Sequence, residues 1–178
     1  MFEAITYIGD TKMLALLSLI IVTVLLIRRR YSEVFFYLFL MAGGIIFTFV
    51  LKFLFKRERP GETIYIDFWG LGDGIISYAF PSGHAVKVFL MFAFLTYLVQ
   101  RTMKSIKVKT ALFSLFTLVT ILVGIGQVML DRHHTSDIIG GFGFAAVWFF
   151  FCLWLQKRFS QFRKTFTNNS EYNKMNVS

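Results

Sequence analysis

Residues 34–55 read VFFYLFLMAGGIIFTFVLKFLF, twenty-two positions carrying one charge, Lys52. At 1.5 Å per residue a helix of that length rises about 33 Å, enough to cross the roughly 30 Å hydrocarbon core of a bilayer. A helix in a soluble bundle needs a polar face, and this stretch has none. Four more apolar runs flank it, at about 13–27, 84–100, 110–130 and 138–156. The first and third are short, so their helices are expected to recruit neighbours such as Ile5 to Ile8 or Phe80. The composition agrees: 56% of residues are hydrophobic, 16% are charged, and Phe occurs 23 times. Soluble domains carry about 25% charged residues, so the excess apolar surface must face lipid. The expected fold is an all-α, polytopic transmembrane helical bundle of about five spans. Residues 1–159 form its single domain, and 160–178 a polar, Asn- and Ser-rich cytoplasmic tail, partly disordered.

The 19 Lys and Arg residues against 10 Asp and Glu give a net charge of +9, and their placement orients the bundle. Segment 28–33 holds three cations, 101–109 four, and the chain from 157 onward five, all on one side of a five-span arrangement. The other side holds seven: Lys12, Lys52, Lys56, Arg57, Arg59, Lys87 and Arg132. The positive-inside rule then places the amino terminus outside and the carboxyl terminus in the cytoplasm. The basic inner segments suit anionic head groups rather than nucleic acid. Arg28-Arg29-Arg30 follows the first apolar run, whereas a cleavable signal peptide carries its cations before it, so a reversed signal anchor is expected. Cys152 is the one cysteine, which excludes an intrachain disulfide and a cysteine metal cluster.

The remaining polar residues collect in three stretches on the outer side. Lys52 to Pro60 closes the second span, Pro81-Ser82-Gly83-His84 opens the third, and Asp131 to Asp137 joins the fourth to the fifth. All three histidines lie in the last two. Lys52 and Arg59 are seven apart, two helical turns, so a helix ending at Pro60 would present both on one face to an anion. Ser82 suits an N-cap, and Gly83 lets a ligand approach the free N–H groups of the helix start. His133 and Asp137 are four apart, so on a helix the carboxylate would hold one imidazole nitrogen and leave the other nucleophilic. Asp131, His133, His134 and Asp137 also have the ligand types of a zinc site, but Lys52, Arg59 and Arg132 beside them favour an anion over a cation.

In combination these stretches resemble the type-2 phosphatidic acid phosphatase superfamily of membrane lipid phosphatases. Lys-x6-Arg-Pro matches Lys52 to Pro60 and Pro-Ser-Gly-His matches Pro81 to His84, both in full. Ser-Arg-x5-His-x3-Asp matches at His133 and Asp137, with Gly126 and Gln127 in the Ser-Arg positions. The resemblance covers about residues 40 to 145. It implies that His133 attacks phosphorus to form a phosphohistidine, that Asp137 orients it, and that His84 protonates the departing lipid oxygen. It implies further that Lys52, Arg59, Ser82 and the Gly83 N–H hold the phosphoryl oxygens, with Gln127 donating where the family has arginine. No metal or other cofactor is implied, because protein cations neutralise the phosphate. Two departures stand out. The arginine charge lost at Gln127 calls for compensation by Arg132, Lys56 or Arg57, and family members commonly have six spans rather than five.

The implied activity is hydrolysis of a lipid phosphate or diphosphate at the outer face of a bacterial inner membrane. The family's bacterial substrates include phosphatidylglycerol phosphate, phosphatidate, undecaprenyl diphosphate and the 1-phosphate of lipid A. Phosphoryl transfer between lipids by the same chemistry, and a weakly active relative that only binds lipid phosphate, are the alternatives. A transporter is disfavoured because the charges sit at helix ends. Vanadium haloperoxidases share the motifs, but the membrane spans argue against that chemistry. The loop 61–80, with Tyr65, Phe68, Trp69 and Tyr78 among glycines, is expected to lie in the head-group layer and border lipid access.

Overall fold

The computed structural model describes residues 9–60, 65–66, 75–76 and 78–175. Among the described residues five helices follow one another: α1 (Thr11–Ile27), α2 (Tyr31–Phe55), α3 (Gly83–Thr102), α4 (Ile106–Met129) and α5 (Thr135–Met175). Between α2 and α3, β1 (Tyr65–Ile66) pairs antiparallel with β2 (Ile75–Ile76), Tyr65 opposite Ile76. The chain is thus an all-helical transmembrane bundle with one two-stranded excursion. Among the described residues four helices are long and apolar enough to cross a membrane: α2, α3, α4 and the Thr135–Phe159 part of α5. Helix α1 is apolar but has 17 residues, about 25 Å of rise, a little less than the hydrocarbon core. The expected contribution of Ile5 to Ile8 to that span, and the expected lipid-access role of most of loop 61–80, lie outside the described residues. The third span begins at Gly83 and is completed through Thr102, not by recruiting Phe80.

Helix α3 is the centre of the bundle and packs against all four other helices. Tyr37 and Leu40 of α2 meet Leu90 and Phe94 of α3 and Ala145 and Cys152 of α5 in one core cluster. Leu14 of α1, Val88 and Met91 of α3 and Val123 of α4 form a second. Large residues on the outer faces, such as Phe35, Leu54, Val147 and Phe150, stay exposed, as a lipid-facing surface requires. Two polar contacts tie helices together within the bundle: the Ser18 and Tyr37 hydroxyls lie 2.7 Å apart, and Trp148 Nε1 donates to the Leu40 carbonyl at 3.0 Å.

Two close approaches bring α5 against the elements that carry the motifs. A Cβ on Gly43 would stand 2.2 Å from Trp148 Cζ2, so α2 meets α5 only because that position is bare. A Cβ on Gly141 would stand 3.1 Å from both the Ser82 carbonyl oxygen and Ala85 Cβ, so the start of α3 sits directly on the first turns of α5.

Two local expectations are corrected. Helix α2 ends at Phe55, not at Pro60, because Lys56 turns left-handed (φ 45°, ψ 36°) and its N–H caps the Lys52 carbonyl. Lys52 and Arg59 therefore do not share a helix face; Arg59 arrives from the loop beyond the cap. Likewise α5 starts at Thr135, so His133 precedes the helix that carries Asp137. Asp131, at φ 51°, makes the turn that ends α4 and brings His133 back toward α5.

Candidate active site

The three polar stretches meet at one end of the bundle. The Lys52 ammonium, on the last turn of α2, donates to the Tyr78 carbonyl, and Ala79 N–H donates to the Arg57 carbonyl at 2.8 Å. These bonds tie the first stretch to the chain entering the second. Ser82 N–H donates to the Asp137 carbonyl at 3.1 Å, which ties the second to the third. Arg59 closes the ring by donating to the Arg132 carbonyl at 3.0 Å.

His133 lies at the centre and is 2% exposed. Its two ring nitrogens face different groups. Nε2 is 3.5 Å from the Arg59 guanidinium, and Nδ1 is 3.6 Å from Asp137 Oδ2, just beyond hydrogen-bond reach. Burial, reinforced by the positive charges of Arg59 and Lys52, pushes the His133 imidazole far below its ordinary range, so it is neutral at any physiological pH. The Arg59 guanidinium is itself lowered, by burial first, and remains charged.

Asp137 is fully buried and uses both carboxylate oxygens. Oδ1 accepts from Arg57 at 2.9 Å. Oδ2 accepts from the His134 backbone N–H at 2.9 Å, a capping contact at the start of α5. Arg57 also donates to Ser136 Oγ at 2.7 Å. The Arg57 guanidinium thus meets the charge of the buried carboxylate. His84, in the first turn of α3, stands within electrostatic reach of Arg59 and Arg132. Ser82 is fully buried and its hydroxyl accepts from Ala85 N–H at 3.4 Å. Gly83 is bare beside Lys52, whose Cε would be 4.0 Å from an added Cβ.

Two cations, two imidazoles and a helix start thus stand together, an arrangement chemically able to take an anion. A profile of the PAP2 superfamily matches residues 33–161, which include every one of these side chains. The chain belongs to the PAP2 superfamily. It is similar to phosphatidylglycerophosphatase B of Bacillus subtilis (strain 168), 26% identical over 161 residues that cover 90% of this chain and 76% of that one. Its fold is that of the crystal structure of the first transmembrane PAP2 type phosphatidylglycerolphosphate phosphatase from Bacillus subtilis. The TM-score is 0.72 at 24% identity, over 88% of this chain and 75% of the other. This PAP2 protein is accordingly a multi-pass membrane phosphatase.

Not all expected members reach the pocket in the expected way. The Ser82 N–H is committed to Asp137, which leaves the Ser82 hydroxyl and the Gly83 backbone as its contribution. Gln127 is 1% exposed, and neither of its amide atoms has a hydrogen-bond partner. Of the three cations weighed against its lost charge, the Lys56 and Arg132 side chains are exposed, and Arg57 is the one paired within the site. One PAP2 residue near the pocket carried no signal of its own. Lys87, on the same face of α3 as His84, reads in the sequence as one more outer cation.

Proposed function

We propose that this PAP2 enzyme hydrolyses the phosphomonoester of a membrane lipid through a phosphohistidine at His133. The observation that carries the reading is the buried neutral imidazole with Arg59 at Nε2 and Asp137 at Nδ1. Lys52 and Arg59 take the phosphoryl charge, the guanidinium as a fork and the ammonium as a point charge. The Ser82 hydroxyl, the Gly83 N–H and the Gln127 amide offer the remaining hydrogen bonds to phosphoryl oxygens. Nε2 of His133 forms the bond to phosphorus as the P–O bond to the lipid breaks. His84 gives its proton to the departing oxygen and then takes one from the water that releases phosphate from His133. Asp137 stabilises the imidazolium that develops, and closing the 3.6 Å gap to Nδ1 is the adjustment that phosphate binding requires. Protein cations supply the neutralisation, so the reading assigns no metal. Phosphate sits at the end of the bundle opposite the basic segments 28–33 and 101–109, hence at the outer face of an inner membrane.

Phosphatidylglycerophosphate is the first substrate to test, because the similar Bacillus protein is named for it. Phosphate release from a panel of lipid phosphates in detergent is the direct assay. Turnover of one or more of them supports the reading, and none from a folded, monodisperse preparation contradicts it.

Protonating His133 removes its nucleophilic lone pair, and its ionisation lies below the ordinary imidazole value of about 6.5. The acid limb of the kcat/KM profile is therefore expected below pH ~6.5, with activity retained through neutrality. Arg57→Ala leaves the Asp137 charge unmet and free to hold a proton on His133, so the limb should move to higher pH. A limb that does not move with Arg57→Ala separates Arg57 from the nucleophile.

Gln127 gives a second expectation. Its unpartnered amide is a cost to the empty protein that a phosphate oxygen would offset. Gln127→Leu should hold or raise the melting temperature in detergent while lowering kcat/KM by roughly tenfold. A less stable variant with full activity would assign Gln127 to the scaffold.

A further inference from the structure

We infer that Lys87 forms a second anion subsite, which takes a phosphate carried on the leaving group one glycerol bridge away from the scissile ester. The inference rests on the phosphatase reading and names the class of lipid that the pocket prefers.

Lys87 is the fifth residue of α3, about 6 Å of rise inside the outer end of that span. A cation at that depth is costly, and such residues commonly mark a substrate path. His84 and Lys87 are three apart on one helix, so they share a face, separated by about 4.5 Å along the axis. Lys87 stands within electrostatic reach of His84 and of Lys52. Its ammonium has a neutral hydrogen-bond partner and one carboxylate, Asp10, within electrostatic reach. Nζ donates to Thr11 Oγ1 at 2.6 Å, a neutral partner at the start of α1. Among the described residues no ion pair within 4.0 Å includes Lys87. The nearby Asp10 carboxylate is engaged with the Lys12 backbone N–H at 2.8 Å, where it caps α1.

The direction of the substrate completes the argument. The scissile oxygen lies at His84, which protonates it, and the lipid runs from there toward the bilayer. Lys87 is one turn of α3 further along the same way. A lipid whose leaving group bears a phosphodiester at that point brings a fixed negative charge to an ammonium and a hydroxyl already in place. Phosphatidate brings an uncharged diacylglycerol instead and gains nothing there. The pocket thus reads two phosphates, one reacting and one not, and charge on the second sets the preference.

The opposing account is that Lys87 only ties α3 to α1 through Thr11. Two variants of the full chain separate the two. Lys87→Gln keeps a side chain able to bond Thr11 and loses the charge, and Lys87→Arg keeps the charge. Steady-state kinetics in detergent micelles on phosphatidylglycerophosphate and on phosphatidate give a selectivity ratio for each protein. In Lys87→Gln that ratio, first lipid over second, should fall roughly ten- to a hundredfold, chiefly through KM, as expected for a charge-assisted contact. Lys87→Arg should restore most of it. A ratio unmoved in Lys87→Gln, or the same proportional loss on both lipids, overturns the subsite and leaves the phosphatase reading standing. A wild-type protein inert on both lipids overturns the phosphatase reading itself.

Discussion

His133→Ala is expected to reduce lipid phosphate hydrolysis by roughly four orders of magnitude or more, with the helical bundle intact. The imidazole makes no hydrogen bond through Nδ1; it meets the Arg59 guanidinium at Nε2 and the backbone at Ala79. Its removal thus breaks little that holds the fold, and circular dichroism and melting temperature in detergent should stay close to wild type. In the proposed mechanism the other groups hold phosphate, move protons or stabilise the imidazolium, and none of them attacks phosphorus. Added imidazole, at high concentration, should restore a small part of the rate by entering the vacated space. A variant that keeps a tenth or more of the activity would mean that water attacks phosphorus directly.

His84→Ala should show a loss of about two to four orders of magnitude, the range for a positioned general acid. Its dependence on the leaving group distinguishes it from the loss at His133. A lipid alkoxide is a poor leaving group and needs the proton, whereas p-nitrophenolate departs without one. Hydrolysis of p-nitrophenyl phosphate should therefore suffer much less than hydrolysis of a lipid phosphate in His84→Ala, while His133→Ala loses both. An equal loss on the two substrates in His84→Ala would assign His84 to phosphate binding instead. Dephosphorylation draws on the same imidazole as a base, so a burst of product before a slow steady state is expected with the aryl substrate.

Much of this is legible along the chain. Uncharged runs of about 20 residues have no stable place in water, so the helical spans follow from composition alone. Pro81-Ser82-Gly83-His84 marks a helix start, and α3 begins at Gly83 as that reading requires. The end of α2 is not legible in the same way. Lys56 adopts the left-handed conformation that glycine or asparagine would have signalled, and a lysine gives no such warning. The cap at Lys56 sends Arg57 and Arg59 across the mouth of the bundle instead of along a helix. The Arg57–Asp137 ion pair joins residues 80 apart in sequence, and no local spacing announces it. His133 and Asp137 do come together at four residues' separation, but across the capped start of α5 rather than on one helix face. Lys87 was hidden by its surroundings: a lone lysine in an apolar run counts toward topology, and only the packing of α1 against α3 shows what it faces.

Trapping the covalent intermediate decides whether His133 attacks phosphorus. Lipid labelled in its terminal phosphate is mixed with protein, quenched in alkaline detergent within the first turnover, and the protein digested and sequenced by mass spectrometry. A base-stable, acid-labile phosphate on His133, absent from His133→Ala, is the expected result. A turning-over enzyme whose phosphate is found on another residue would contradict it.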